Sequence, residues 1–194
     1  MIKRIGTKTI TTKRLILRKF AINDTEDVFM NWANDIEVTR YLSWLPHGKL
    51  DVTKNIINAW VEDYKNPDTY NWGIELKNLG QVIGSISVIK FECKNLVCEI
   101  GYCLSKKYWN KGIMSEALKA VIGFLIDNVG VQRVYAYHNA NNVASGKVMQ
   151  KAGMQFEGKL RKYHLNREGA LEDVNMYSMI DDDVLERKGA ICAP

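Results

Sequence analysis

The stretch Tyr108-Trp109-Asn110-Lys111-Gly112-Ile113-Met114-Ser115 is where chemistry is first expected. An aromatic pair and one glycine precede an amphipathic helix, whose apolar positions Ile113, Ala117, Val121, Phe124 and Leu125 follow the helical period. A helix start leaves its first N–H groups unpaired and carries the positive end of the helix dipole, so it attracts phosphate. Lys106, Lys107 and Lys111 gather beside it. The alternative is an ordinary turn entering a helix. Two common phosphate loops are absent: G-x-x-x-x-G-K-[ST] does not occur, and Gly80-Gln81-Val82-Ile83-Gly84 does not match G-x-G-x-x-G. Nucleotide hydrolysis and dinucleotide binding thereby lose their main support.

Metal chemistry is not expected. The four cysteines (Cys93, Cys98, Cys103, Cys192) form no C-x-x-C, and the three histidines (His47, His138, His164) lie far apart. Cys93 and Cys98 could face each other across a hairpin, but reduced cysteines are the expectation.

The elements that must position this stretch follow from periodicity and turn signals. Arg14 to Phe20 alternates apolar and basic residues and predicts a strand. Asp24 is placed to cap a helix to about Asn34, with Val28, Phe29 and Trp32 inward. A short helix over Ile36 to Leu42 stops at Pro46-His47-Gly48, and Val52 to Tyr64 predicts another, closed by Asn66-Pro67-Asp68. Tyr70 to Leu76 and Gln81 to Phe91 read as a hairpin, joined by a strand from Leu96 to Leu104. The helix from about Gly112 to Asn128, a strand Val131 to His138 and a helix Asn142 to Ala152 stopped by Gly153 come next. Strands Met154 to Leu165 and Leu171 to Met179 close the pattern as a hairpin whose edge could pair two copies into a homodimer. From Asp181 on, no pattern is evident.

Size and composition agree with one domain over residues 1–194, its core from about 12 to 180 between short tails. Apolar residues make up 46% of the 194 and charged residues 25%, as in a soluble globular chain. The 27 basic and 22 acidic residues leave +5, dispersed rather than clustered, which favours small anionic ligands and gives no continuous face for nucleic acid. No targeting segment follows the basic start, and no apolar run approaches a membrane span, so a cytoplasmic protein without membrane partners is expected.

Three segments in order carry a family resemblance: TKRLILR near the start, EIGYCLSKKYWNKGIMSEAL in the middle and NANNVASGKVMQKAGMQFEG later. From about Thr12 to Met179 the chain resembles the GCN5-related N-acetyltransferase superfamily, and within it the branch named for acetylating ribosomal-protein N-termini. The family's acyl-CoA loop, Q/R-x-x-G-x-G/A, falls on Trp109-Asn110-Lys111-Gly112-Ile113-Met114. Gly112 matches strictly. Trp109 replaces the Gln/Arg, and Met114 replaces the small last residue. Asn110 stands where relatives often have glycine, and Asn tolerates positive φ best after Gly.

The resemblance implies an α+β fold with a mixed, mostly antiparallel sheet whose central strands splay apart, flanked by helices. It implies acetyl-CoA as cofactor, coenzyme A as product, and an amine as acceptor. The loop from Trp109 to Ser115 would hold the pyrophosphate. The pantetheine arm would lie between Leu96–Leu104 and Val131–His138, with a backbone N–H near Tyr102, Cys103 or Leu104 meeting the thioester carbonyl. The amine would attack directly, through a tetrahedral intermediate. An α-amine titrates near about 7.7–8.0 and a lysine near about 10.4, so an N-terminal acceptor needs only a modest base. Glu99 in EIGY is the candidate; a solvent-facing or ion-paired strand glutamate is the alternative. Glu116 more plausibly complements the helix dipole, and Glu157, Glu172 and His164 are further candidates. N-x-x-S at Asn142–Ser145 matches the ribosomal-protein branch: Ser145 would bond the departing sulfur and Asn142 the pantetheine arm, although Asn142 also suits a helix N-cap. Tyr41, Trp44, Trp72, Tyr163 and His164 could line the acceptor cleft. The acceptor is either a protein N-terminus or a small amine such as a polyamine, amino acid or antibiotic. A non-catalytic acyl-CoA sensor and a ribosome- or RNA-associated module compete with the enzyme reading.

Overall fold

The computed structural model describes residues 2–184. Its sheet runs in the order β1-β2-β3-β4-β5-β6-β8-β7. These strands are β1 (Ile10–Thr11), β2 (Leu15–Arg18), β3 (Asn71–Leu76), β4 (Gln81–Glu92), β5 (Val97–Leu104), β6 (Arg133–Asn139), β7 (Gln155–Leu165) and β8 (Leu171–Ile180). All neighbours are antiparallel except β5 and β6. The helices are α1 (Thr25–Val28), α2 (Ile36–Thr39), α3 (Leu50–Asp63), α4 (Ile113–Phe124) and α5 (Val143–Ala152). The expected mixed, mostly antiparallel α+β sheet is therefore present, with the short β1 added at one edge.

Period-two alternation divides the sheet into two faces. Cys98, Ile100 and Leu104 of β5 join Ile113, Ala117, Leu118 and Val121 of α4 in one core. On the opposite face α1 and α3 close over Phe20, Trp32, Ile57 and Val82, with Cys103 at the margin. Trp72, expected as a possible cleft residue, is fully buried, stacked edge-on to Phe124, and donates its indole N–H to the Lys8 carbonyl at 2.7 Å. It is core, not cleft.

Several boundaries differ from expectation for tertiary reasons. Asp24 does not cap the helix after it: both its oxygens accept from Arg18 at 2.8 Å, and one reaches back to the Ala21 N–H. The segment then passes from a 3₁₀ turn (Ile22–Asp24) through α1 to a π-helical turn (Phe29–Ala33). The α2 helix is only four residues long, capped by Asp35. The segment before residue 12, expected as a short tail, packs on the domain from residue 2 on. The Lys3 N–H donates to Val129, and buried Thr7 pairs with Thr69, so the core begins before residue 12. Residues 181–184 form a helical turn; the rest of the expected tail, with Cys192, lies outside the described residues. No helix among the described residues is long and apolar enough to cross a membrane.

Candidate active site

β5 and β6 pair side by side only at Val97–Arg133, Cys98–Val134 and Glu99–Tyr135. Beyond that vertex β5 runs on to Leu104 and β6 to Asn139 without a further bridge, so the sheet forks. Ser105 N–H donates to Ile83 on β4, and strand alternation therefore turns the Cys103 backbone toward β4 and the Tyr102 backbone toward the gap. The Leu104 carbonyl also faces the gap side, where it accepts the Trp109 indole N–H at 2.8 Å.

At the open end of β5 the chain turns into α4 through two left-handed residues, Asn110 (φ 60°) and Gly112 (φ 70°). Such φ values favour Gly, then Asn, as their short side chains permit. The helical ladder starts with the Glu116 N–H donating to Gly112 at 3.1 Å, which leaves the Ile113, Met114 and Ser115 amides without intrahelical acceptors. Met114 is 4% exposed and turned into the core, so it does not obstruct that mouth. The Ser115 hydroxyl is turned toward the Val148 carbonyl of α5 at 3.4 Å, leaving its amide as the available group.

A side-chain clasp holds this loop. Glu116 accepts from the Thr12 hydroxyl (2.7 Å), the Arg14 N–H (2.9 Å) and the Arg14 Nε (2.6 Å), while Arg14 Nη1 donates to the Lys111 carbonyl at 2.8 Å. Burial raises the Glu116 pKa, but these donors outweigh it and hold the carboxyl below its ordinary value. Glu116 is neither a free base nor a simple dipole partner. It is a peg.

Glu99 is arranged differently. It sits half-buried at the vertex on the face opposite α4, and among the described residues its one side-chain bond is from the Tyr135 hydroxyl at 3.2 Å. Burial raises its pKa, against the Tyr135 bond and the charges of Lys90 and His164. Burial, and then the Glu99 charge, push the Tyr135 hydroxyl up, so Tyr135 keeps its proton and donates. Across the gap, Asn142 caps α5 by accepting the Ser145 N–H at 3.3 Å, and the Ser145 hydroxyl lies 2.9 Å from that of Tyr102. The Tyr102 hydroxyl lies 3.1 Å from the Ser145 carbonyl as well, so its single proton serves one of these two oxygens at a time, and burial raises its pKa. The α5 helix sits close to the sheet: a Cβ on Gly146 would lie 2.7 Å from His138 Nε2, which is buried without a hydrogen-bond partner among the described residues.

The sequence pattern of the Acetyltransferase (GNAT) domain family matches residues 14–155. The chain belongs to this family. Its members transfer acetyl groups, and this acetyltransferase is similar over nearly its whole length to others. It is 32% identical over 171 residues to the uncharacterized N-acetyltransferase YoaA of Bacillus subtilis, covering 88% of this chain and 96% of that one. It is 32% identical over 102 residues to the ribosomal-protein-serine acetyltransferase of Escherichia coli, covering 53% and 56%. A solved GNAT-family acetyltransferase from Bacillus anthracis superposes with a TM-score of 0.79 at 27% identity, covering 90% of this chain and 99% of the other.

The acetyltransferase thus brings Tyr102, Leu104, the loop from Trp109 to Ser115, Asn142 and Ser145 around one gap, with Glu99 at its apex. Cys103 departs from expectation. Its amide is directed into the β4 pairing and its thiol contacts Ser85 Oγ at 3.2 Å, with burial pushing that thiol up to about 11. Glu157 is bound by Arg133 and Ser178, whose register partners Val97 and Tyr135 mark the closed end of the fork. Glu172 is held by Asn139 and Asn166. His164 contacts the Tyr137 hydroxyl at 3.4 Å, and Tyr163 packs edge-on to Tyr137. Tyr135, the Tyr102 hydroxyl and the Arg14 clasp are the participants that sequence reasoning missed. For Tyr102 a signal existed: alternation along β5 sends its side chain to the face that α5 covers.

Proposed function

We propose that this acetyltransferase moves the acetyl group of acetyl-CoA onto an α-amine at a protein N-terminus, with Glu99 as base. The observation that carries the reading is Glu99 itself: half-buried at the apex of the fork, raised in pKa, and held by one neutral donor. Such a carboxylate is more basic than a solvated one and keeps lone pairs free for a proton. The unpaired amides from Ile113 to Ser115, the left-handed loop and the inward Met114 suit a diphosphate, with Asn110, Lys111 and Gly112 at the rim. The coenzyme supplies an activated acetyl thioester. The Tyr102 N–H, turned to the gap, is the donor for the developing oxyanion. When the Tyr102 hydroxyl turns its single proton to Ser145 Oγ, the Ser145 hydroxyl is free to offer its own toward the sulfur, whose low basicity asks for little help.

The N-terminal acceptor draws support from the name of the Escherichia coli relative, and from the modest base strength that an α-amine requires. The decisive experiment measures thiol release from acetyl-CoA with N-terminal peptides and small amines side by side. Faster release with peptides is expected. Preference for a polyamine, amino acid or antibiotic would overturn the acceptor. Saturable coenzyme binding with no release for any amine would leave a sensor and overturn the catalytic reading.

A further inference from the structure

The segment that runs from α2 into the loop before α3 is tied to both limbs of the fork. On the β5 limb, Lys106, just past the end of the strand, pairs with Glu37 of α2. On the β6 limb, Arg167 at the tip of the β7–β8 hairpin donates through Nη1 to the carbonyls of Thr39 (3.0 Å) and Trp44 (3.2 Å). The hairpin tip is itself bonded internally and to β6. Asn166 Oδ1 accepts the N–H groups of Glu168 and Ala170, its amide donates to Glu172, and Glu172 also binds Asn139 at the end of β6. Both ties are made at the wide end of the fork, on the Glu99 face. Residues 37–44 therefore form a strap across it.

The two ties are unequal. Lys106 and Glu37 are each about half exposed (52% and 53%), and such pairs contribute little. Arg167 is half-buried, and among the described residues its guanidinium binds main-chain carbonyls and no carboxylate. It thus fixes the path of the strap rather than a strap side chain. On the same Glu99 face, by alternation along β6, Tyr137 packs edge-on to Tyr163 with centroids 5.4 Å apart and beside His164.

We propose that Arg167 is a specificity-determining residue that sets the acceptor's size. By holding the strap across the wide end of the fork, it lets an amine reach Glu99 only at the end of a narrow chain. This rests on the acetyl-transfer reading above. Arg167 touches neither coenzyme nor reacting atoms. Its loss should widen the acceptor range without altering coenzyme binding.

The test compares wild type, Arg167→Ala and Arg167→Lys using Ala-Gly-Gly-amide and spermidine as narrow acceptors, and Trp-Gly-Gly-amide and kanamycin as wide ones. In Arg167→Ala the wide-to-narrow ratio of kcat/KM should rise about tenfold, within the range that pocket size commands. The KM for acetyl-CoA should stay unchanged, and Lys, able to reach one carbonyl, should fall between. Amide hydrogen exchange across residues 39–45 should quicken in Arg167→Ala. An unchanged ratio, a uniform fall for all acceptors, or unchanged exchange would overturn the proposal. If wild type released no thiol with any amine, acetyl transfer itself would fail and the size role with it, while the exchange data would still report whether Arg167 holds the strap.

Discussion

Glu116 and Glu99 are both glutamates beside the fork, and their surroundings are opposite. Glu116 takes three strong donors, two of them from Arg14, and its pKa is lowered. Glu99 takes one neutral donor and its pKa is raised. The difference separates holding from reacting. A carboxylate that is fully spoken for builds a scaffold, here the loop whose main-chain amides form the proposed phosphate site. A carboxylate kept short of donors stays ready to accept one more proton.

Four substitutions sharpen or break that contrast. The largest effect is expected for Glu99→Gln, with kcat falling about 10²- to 10⁴-fold below neutral pH and much less near pH 9, where an α-amine is already neutral. Because the folded pKa of Glu99 is raised, its ionised form costs stability above that pKa. The neutral glutamine should then leave the neutral-pH melting temperature unchanged or slightly higher. A pH-independent loss accompanied by a lower melting temperature would make Glu99 structural. Next comes Glu116→Gln, which should destabilise by about 2 kcal/mol in chemical denaturation and raise the KM for acetyl-CoA with kcat spared. Its lowered pKa contributes stability that is present above the ordinary value of 4.5 and lost as pH falls through the folded value. The variant's stability should therefore change less with acid over that window; the same acid loss as wild type would show that the peg carries no charge.

Gly112→Ala should cost about 1–2 kcal/mol, because the residue is left-handed. Crowding adds nothing, since the nearest atom to the new Cβ would be Arg14 Nη2 at an ordinary 3.6 Å. The expected readout is a few-fold higher KM for acetyl-CoA, and an unchanged KM would remove the loop from coenzyme binding. The smallest effect is that of Tyr102→Phe. Losing the hydroxyl, with its contacts to the Ser145 Oγ and carbonyl, should lower kcat about five-fold, near 1 kcal/mol, with the circular dichroism spectrum unaltered. A turnover equal to wild type would leave Ser145 oriented by its backbone alone.

What could be read from sequence was local. The α4 start at Gly112, the Asn142 cap and the Gly153 stop each depend on residues within one turn, and the structure places them there. Asp24 shows the limit of such reading. A short acidic residue before a helix signals a cap, yet Arg18 on the adjacent strand competes for it more strongly. The Arg14–Glu116 clasp joins residues 102 apart, which no periodicity links. Trp72 shows that an aromatic residue's type does not reveal which sheet face it occupies. The fork itself came through family resemblance, because a missing bridge between two strands leaves no mark in the composition of either.

The close seat of α5 on the sheet has one further consequence. His138 stacks on Tyr177 and donates through Nδ1 to the Asn139 carbonyl, so a Cβ added at Gly146 would force either this ring or the helix to shift. An alanine there would act as a shim under the helix, tilting its first turn and carrying Ser145 off its hinge. On the leaving-group role proposed for Ser145, a neighbouring position in α5 would in this way govern how promptly the sulfur departs.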